Sequence, residues 1–142
     1  YGIEKMVKML NGMFALAIYD FTLDSLFLVR DRFGIKPLYI LQEENRIAFA
    51  SEMKSFKPLP NFKFEADFSR MDEFLLFRNL INTTLFKNIV NCTPGTYLKI
   101  KNGTISSHTF YDINSEGNQA ITSNEKEEII YISNSLSIKC ST

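Results

Sequence analysis

The chain has 142 residues, of which 45% are hydrophobic and 13% aromatic, with thirteen Phe and no Trp. This length and composition suit one domain with an aromatic core, and no apolar run approaches the roughly 20 residues that span a bilayer. The 16 basic and 16 acidic side chains balance, so the charge pattern lacks the footprint of a nucleic-acid or anionic-membrane binder.

The first third of the chain predicts a helix followed by strands. Residues 3–10 carry apolar side chains at helical spacing, and Asn11-Gly12 ends that pattern. Residues 13–19 form an almost unbroken apolar run, which predicts a strand buried on both faces. Three further short strands, joined as hairpins, are expected at residues 26–29, 38–41 and 46–50.

The middle of the chain predicts two short helices. Ser51 is expected to cap the first, which ends at Phe56 ahead of two prolines. Asp67 or Ser69 is expected to cap the second, whose apolar residues recur at intervals of three and four.

The last predicted strands form a hairpin. Asn102-Gly103 is a strong two-residue turn signal between residues 96–101 and 104–111. Successive hairpins indicate antiparallel sheets, and the buried runs indicate that two such sheets are stacked. The sequence therefore predicts an α+β fold with two antiparallel sheets between helical layers.

Composition changes near residue 114. Residues 114–124 are rich in Gly, Ser and Asn, which indicates a linker, and residues 125–138 resemble a helix. We expect one domain over residues 1–113, with residues 114–142 leading toward a further domain.

The densest charge cluster lies between two apolar strands and contains Arg30, Asp31 and Arg32. Two interpretations stay open, a solvated turn or a fixed ion-pair network at an interface or cleft. Glu52 is a candidate partner for Arg30 or Lys54, or a carboxylate placed near a helix N-terminus.

Reactive side chains are few. Cys92 and His108 are poor candidates for a thiol–imidazole pair, and a single His argues against a metal site. No glycine-rich phosphate loop is present. We therefore predict no catalytic residue, no cofactor-binding residue and no metal ligand. Cys92 and Cys140 are expected to be reduced thiols, which favours the cytoplasm.

Several spaced motifs resemble one known family. They are Leu10-Asn-Gly-Met-Phe-Ala15, Arg30-Asp-Arg-Phe-Gly-Ile-Lys-Pro-Leu-Tyr39, Ala50-Ser-Glu-Met-Lys54, Leu85-Phe-Lys-Asn-Ile89, Thr93-Pro-Gly-Thr-Tyr-Leu98 and Phe110-Tyr-Asp112. In this order, they resemble the glutamine amidotransferase domain of glutamine-hydrolysing asparagine synthetases.

The resemblance implies an N-terminal-nucleophile (Ntn) hydrolase-like αββα sandwich of two antiparallel sheets, here incomplete at its N-terminus. In that family the domain hydrolyses glutamine, and a synthetase domain uses ATP and Mg²⁺ to amidate aspartate. The family nucleophile is an N-terminal Cys, whereas this sequence opens on Tyr1. The parent would be an asparagine synthase, and this chain alone is predicted to be inactive.

The resemblance also implies functional positions and partners. Met13 and Ile35 lie on segments that face the interdomain ammonia route in the family, although both are equally well read as ordinary core residues. The implied partners are glutamine, the missing C-terminal synthetase domain and, for the parent, a second copy in a homodimer. Two alternatives stay open, a non-catalytic binding or regulatory module and an amidotransferase with an acceptor other than aspartate.

Overall fold

The computed structural model describes residues 2–78, 80 and 82–113. The chain divides into two compact units, Tyr1–Asp112 and Ile113–Thr142, and every helix and strand given below belongs to the first. The linker and helix expected within residues 114–138 lie outside the described residues. The proposed domain organisation therefore stays a prediction.

The described residues of the first unit form two α-helices and seven strands. In chain order they are α1 (Ile3–Met9), β1 (Ala15–Asp20), β2 (Ser25–Arg30), β3 (Tyr39–Glu43), β4 (Arg46–Ala50), α2 (Met71–Phe77), β5 (Ile89–Asn91), β6 (Thr96–Lys101) and β7 (Thr104–Thr109). Two 3₁₀ turns, Met53–Phe56 and Phe68–Arg70, lie between β4 and α2. No helix among the described residues is long and apolar enough to cross a bilayer.

The strands form two antiparallel sheets, as the sequence predicts. The first sheet has the order β1-β2-β6-β7 and the second has the order β4-β3-β5. Every neighbouring pair of strands is antiparallel. The β6–β7 connection is the predicted Asn102-Gly103 turn, where both residues have the positive φ that this turn requires.

Three apolar clusters show how the two sheets pack against each other and against helical segments. Between the sheets, Leu28 of β2 packs with Ile40 of β3. On the outer face of the first sheet, Val7 of α1 packs against Phe27 and Val29. On the outer face of the second sheet, Phe56 of the 3₁₀ turn covers Leu41 and Ile89. Burial of each such side chain contributes about 1.5–3 kcal/mol.

The prediction that the first strand is buried on both faces is wrong. β1 pairs only with β2 among the described strands, so it is an edge of the first sheet. Ala17 and Tyr19 are exposed on the face that looks toward the second sheet. An apolar run fits either a central strand or an edge strand that another surface covers.

The helix caps are partly as expected. Asp67 accepts a hydrogen bond from the Ser69 amide at 3.0 Å and caps the 3₁₀ turn before α2, as predicted. Ser51 does not cap the earlier helix. That element is a 3₁₀ turn whose N-cap is Glu52, and it has no side-chain cap hydrogen bond.

Candidate functional site

The charge cluster of residues 30–32 opens the loop that joins β2 to β3. Asp31 is only 1% exposed. Its carboxylate accepts backbone N–H bonds from Phe33 at 3.1 Å, Ile35 at 3.1 Å and Lys36 at 3.0 Å. Burial by itself would raise the pKa of Asp31, but these amide donors together hold that pKa below its ordinary value. The carboxylate therefore fixes the course of the loop backbone.

The Arg30 side chain holds the same loop by donating to the loop's backbone carbonyl groups. The guanidinium donates to the Gly34 oxygen at 2.8 Å and to the Lys36 oxygen at 3.0 Å. It also donates to Asn91 Oδ1 at 2.9 Å and to the Cys92 oxygen at 2.5 Å, which connects the loop to β5. Arg30 is 7% exposed, so a buried cation is satisfied here by neutral acceptors.

Arg32 connects the loop to the end of α1. Its guanidinium donates to the Leu10 oxygen at 3.0 Å and to the Lys8 oxygen at 3.1 Å. It also lies 5.6 Å from the ring centroid of Tyr111. Together with Arg30 and Asp31, it makes the loop a rigid segment between three other parts of the fold.

These contacts replace the expected ion-pair network. Among the described residues, no ion pair joins Arg30, Asp31 and Arg32, and each of them bonds mainly to backbone groups. Glu52 pairs with Lys54, one of its two candidate partners, at 2.5 Å on the surface, and not with Arg30 among the described residues. The physical reason is that the turn brings backbone groups, rather than opposite charges, within reach of each side chain.

Gly34 is required by the path of the loop. Its φ is +64°, and a Cβ placed there would lie 2.7 Å from the Pro94 side chain. Gly95 is equally constrained, because a Cβ at that position would lie 2.5 Å from the Tyr111 oxygen. The Gly95 amide donates to the Asp31 oxygen at 2.9 Å, so the two glycine-bearing segments support one another.

Met13 and Ile35 are not core residues. Their side chains are 61% and 56% exposed, and the neighbouring Phe33 is also exposed. Met13 lines an open cavity of about 420 Å³ together with Ala15, Lys36, Pro37 and others. Ile35 lies on the loop beside Lys36 but does not line that cavity. The core interpretation of these two residues is therefore wrong, and their role at an interdomain face stays a prediction.

Cys92 and His108 are not brought together. Burial raises the pKa of the Cys92 thiol, which lies in the apolar layer between the sheets. His108 is on the opposite, outer face of the first sheet, where its ring stacks on Tyr97 with centroids 4.9 Å apart. A buried thiol without an adjacent base is a poor nucleophile.

Sequence reasoning missed Asn91 and the role of β5. Asn91 accepts from Arg30 across 61 residues of sequence, a separation that no local pattern reveals. The only signal was a short apolar pair, Ile89-Val90, ahead of the Pro94-Gly95 turn. The β2–β3 loop (residues 31–38), β5 and the turn at Pro94-Gly95 form one connected unit, which we call the pinned loop.

Comparison with known proteins identifies the family. A family model for a glutamine amidotransferase domain matches residues 1–111. The chain is 40% identical to the glutamine-hydrolyzing asparagine synthetase 2 of Bacillus subtilis (strain 168) over 95 residues, which are 63% of this chain and 13% of that protein. It is 30% identical to the asparagine synthetase 3 of the same organism over 115 residues, or 80% of this chain and 19% of that protein.

A relative with a different name also matches. The chain is 30% identical to the amidase chry2 of Gibberella zeae over 114 residues, which are 80% of this chain and 16% of that protein. The chain thus spans less than a fifth of the length of each of these curated relatives. Since the family model covers most of its length, the chain belongs to the glutamine amidotransferase domain family.

Proposed function

We propose that this chain is part of the glutaminase domain of an asparagine synthetase-like enzyme, which amidates aspartate with glutamine as nitrogen donor. The observation that carries the proposal is the pinned loop. A buried cation and a buried carboxylate hold its backbone while Phe33 and Ile35 remain exposed. Fixed, exposed apolar side chains indicate a surface that another part of the protein covers.

An apolar, covered surface suits the transfer of ammonia. Ammonia reacts as a nucleophile only while it is unprotonated, and contact with bulk water supplies protons. Met13 and Ile35 would form part of a passage wall that excludes water between the glutaminase site and the acceptor site. The open cavity of about 420 Å³ beside Met13 supports this proposal.

The glutaminase step needs a reactive thiol that the described residues do not supply. In that step a thiolate attacks the glutamine amide carbon, ammonia leaves, and water then releases glutamate from the acyl-enzyme. Cys92 is buried with a raised pKa, and Cys140 lies outside the described residues. We propose that a thiol elsewhere in the natural protein performs the attack.

Open strand edges support the proposal that further strands complete an Ntn hydrolase-like αββα sandwich. β1 and β4 are edges of their sheets among the described strands. Tyr19 on β1 and Phe49 on β4 face the space between the sheets, yet they are 47% and 41% exposed. An apolar face beside an unpaired edge favours coverage by additional chain.

The remaining components of the proposal concern the whole protein. A synthetase domain would bind ATP and Mg²⁺, the whole protein would form a homodimer, and it would work in the cytoplasm with Cys92 reduced. The acceptor is left open by the relative named as an amidase. A non-catalytic regulatory module is the second candidate, because the described residues contain no thiol–base pair.

The test measures glutamate release and asparagine formation by the natural protein, expressed from its complete reading frame. Ile35→Gln should leave glutamate release unchanged while lowering the asparagine formed per glutamate. Leu23→Gln, on an exposed hairpin turn outside the pinned loop, is the matched control. Absence of glutamate release from the complete protein would reject the enzyme and favour the module. Activity of this chain alone, abolished by Cys92→Ala, would reject the proposed inactivity.

A further inference from the structure

A second cavity lies on the outer face of the second sheet, away from the pinned loop's exposed surface. Its volume is about 310 Å³, at the lower end of the range for small-molecule sites. The apolar part of its lining comes from β3, the first 3₁₀ turn, α2 and the segment before β5, namely Tyr39, Met53, Phe74, Leu80, Leu85 and Phe86. All of these except Leu80 are only half-buried, so the cavity leaves apolar surface uncovered.

Three polar side chains in the lining have unused hydrogen-bonding capacity. The Thr83 hydroxyl is buried and has no hydrogen-bond partner among residues 2–78, 80 and 82–113. Asn91 gives its carbonyl oxygen to Arg30, and its amide nitrogen bonds to nothing in the described part of the chain. Arg78 makes no side-chain hydrogen bond or ion pair with any described residue. Of these three side chains, Thr83 has the buried polar atom, and a buried polar group without a partner costs free energy unless a ligand or water satisfies it. Arg78 is exposed, so its guanidinium is open to solvent or to a ligand.

Thr84 also lines the cavity, but its hydroxyl is already satisfied within the fold. Its hydroxyl donates to the Ile89 oxygen at 2.8 Å and accepts from the Phe86 amide at 3.1 Å. The Thr84 hydroxyl therefore holds the backbone of the segment before β5, whereas the adjacent Thr83 hydroxyl makes no hydrogen bond to the described residues. The pair provides an internal comparison between a structural threonine and an unsatisfied one.

The three groups share one chemical character. The guanidinium and the amide nitrogen are donors only, and the hydroxyl donates as well as accepts. No Asp or Glu is among the described residues that line the cavity. Arg78 ends α2 with a φ of +51°, and its backbone amide donates to the Phe74 oxygen at 2.8 Å. The lining thus offers one positive charge, two further donors and an aromatic wall.

We propose that this cavity binds a small monocarboxylate with a flat apolar body. The carboxylate would accept from Arg78, Asn91 and Thr83, and the body would pack against the rings of Tyr39, Phe74 and Phe86. The site is separate from the cavity beside Met13, because the two cavities share no described lining residue. It lies on the far side of the second sheet from the layer between the sheets. Asn91 links it to the pinned loop, because the same side chain accepts from Arg30.

The test is calorimetric titration of the natural protein, from its complete reading frame, with phenylacetate, indole-3-acetate and phenylacetamide. We expect saturable binding of both acids and at least tenfold weaker binding of the neutral amide. Arg78→Gln should weaken the binding of phenylacetate at least tenfold and leave the binding of phenylacetamide unchanged. Arg70→Gln, on the turn before α2 and already paired with Glu73, is the matched control and should change neither. Thr83→Val should weaken phenylacetate several-fold without lowering the melting temperature.

Three results would overturn the proposal. The first is no saturable binding of either acid with a dissociation constant up to about 1 mM. The second is that the protein binds phenylacetate and phenylacetamide with equal affinity, or that the Arg78→Gln variant binds phenylacetate as tightly as the unchanged protein does. The third is loss of binding in Leu76→Ser, which would place the ligand on the exposed outer side of α2. None of these measurements depends on glutamate release, so failure here leaves the proposed enzyme function untouched.

Discussion

Among the described acidic residues, Asp31 is the one whose substitution should lower the stability of the fold most. Asp31→Ala removes a carboxylate that accepts three backbone N–H bonds and leaves those donors without partners. Hydrogen bonds to charged groups are worth about 1.5–3 kcal/mol each and are not additive, so we expect a loss of about 3–5 kcal/mol. Asp31→Asn keeps one acceptor oxygen and should cost about half as much.

The pH dependence of this effect has a definite sign. The folded-state pKa of Asp31 is depressed, so the charged form is favoured in the folded protein. Its contribution is fully present above the unfolded-state pKa and is lost as pH falls through the lower, folded-state pKa. The stability difference between the unchanged protein and Asp31→Asn should therefore be largest near neutral pH and shrink in acid.

Two measurements on the natural protein test this reasoning. Urea unfolding gives the free energy, and amide hydrogen exchange of Ile35 and Lys36 reports directly on the loop. Asp72→Asn, an exposed carboxylate on α2, is the control and should change stability by less than about 0.5 kcal/mol. If Asp31→Ala exchanged no faster at Ile35 and lost no more stability than the control, the carboxylate would not hold the loop.

Three other variants and the isolated chain extend the test. Gly34→Ala should lower stability by about 1–3 kcal/mol, because it strains a positive φ and meets Pro94, and thermal unfolding would show it. Thr84→Val should cost about 1–3 kcal/mol through the unsatisfied Ile89 carbonyl, whereas Thr83→Val should be neutral or stabilising in the same urea experiment. The isolated 142-residue chain should aggregate through its open edges, and a sharp melt from a monomer in light scattering and circular dichroism would contradict this.

Local turn chemistry explains which parts of the fold the sequence predicts. Asn102-Gly103 has two residues that tolerate positive φ, and it sets the register of β6 and β7 without help from distant residues. The β1–β2 and β3–β4 connections are also short turns, at residues 21–24 and 44–45. Antiparallel pairing within each of these hairpins follows directly, and so does the α+β class.

Distant contacts explain what the sequence does not predict. Whether β1 is a central or an edge strand depends on what pairs with its free side, and its apolar run fits both. β5 has only three residues and is a strand because it pairs with β3. The partners of Arg30 are Asn91 and the Cys92 carbonyl, which become neighbours only after both sheets form. A cluster of opposite charges suggests ion pairs unless the backbone path is known.

The chemistry of the pinned loop explains why backbone acceptors are used in place of ion pairs. An Arg–carboxylate pair would satisfy its members and leave the loop's own amides and carbonyls to find partners. Here Arg30 takes the carbonyls of Gly34 and Lys36, and Asp31 takes the amides of Phe33, Ile35 and Lys36. Each charge therefore orders several residues of backbone.

A loop ordered in advance loses less conformational freedom when another surface covers it, so more of the apolar contact energy remains for association. The exposed side chains of Phe33 and Ile35 contribute apolar contact energy only when a partner surface covers them. Equal hydrogen-exchange protection of Ile35 in the whole protein and in a form whose partner surface is removed would show that the order is intrinsic. Loss of protection in the second form would show instead that the partner imposes it, and the role assigned to Asp31 would fail.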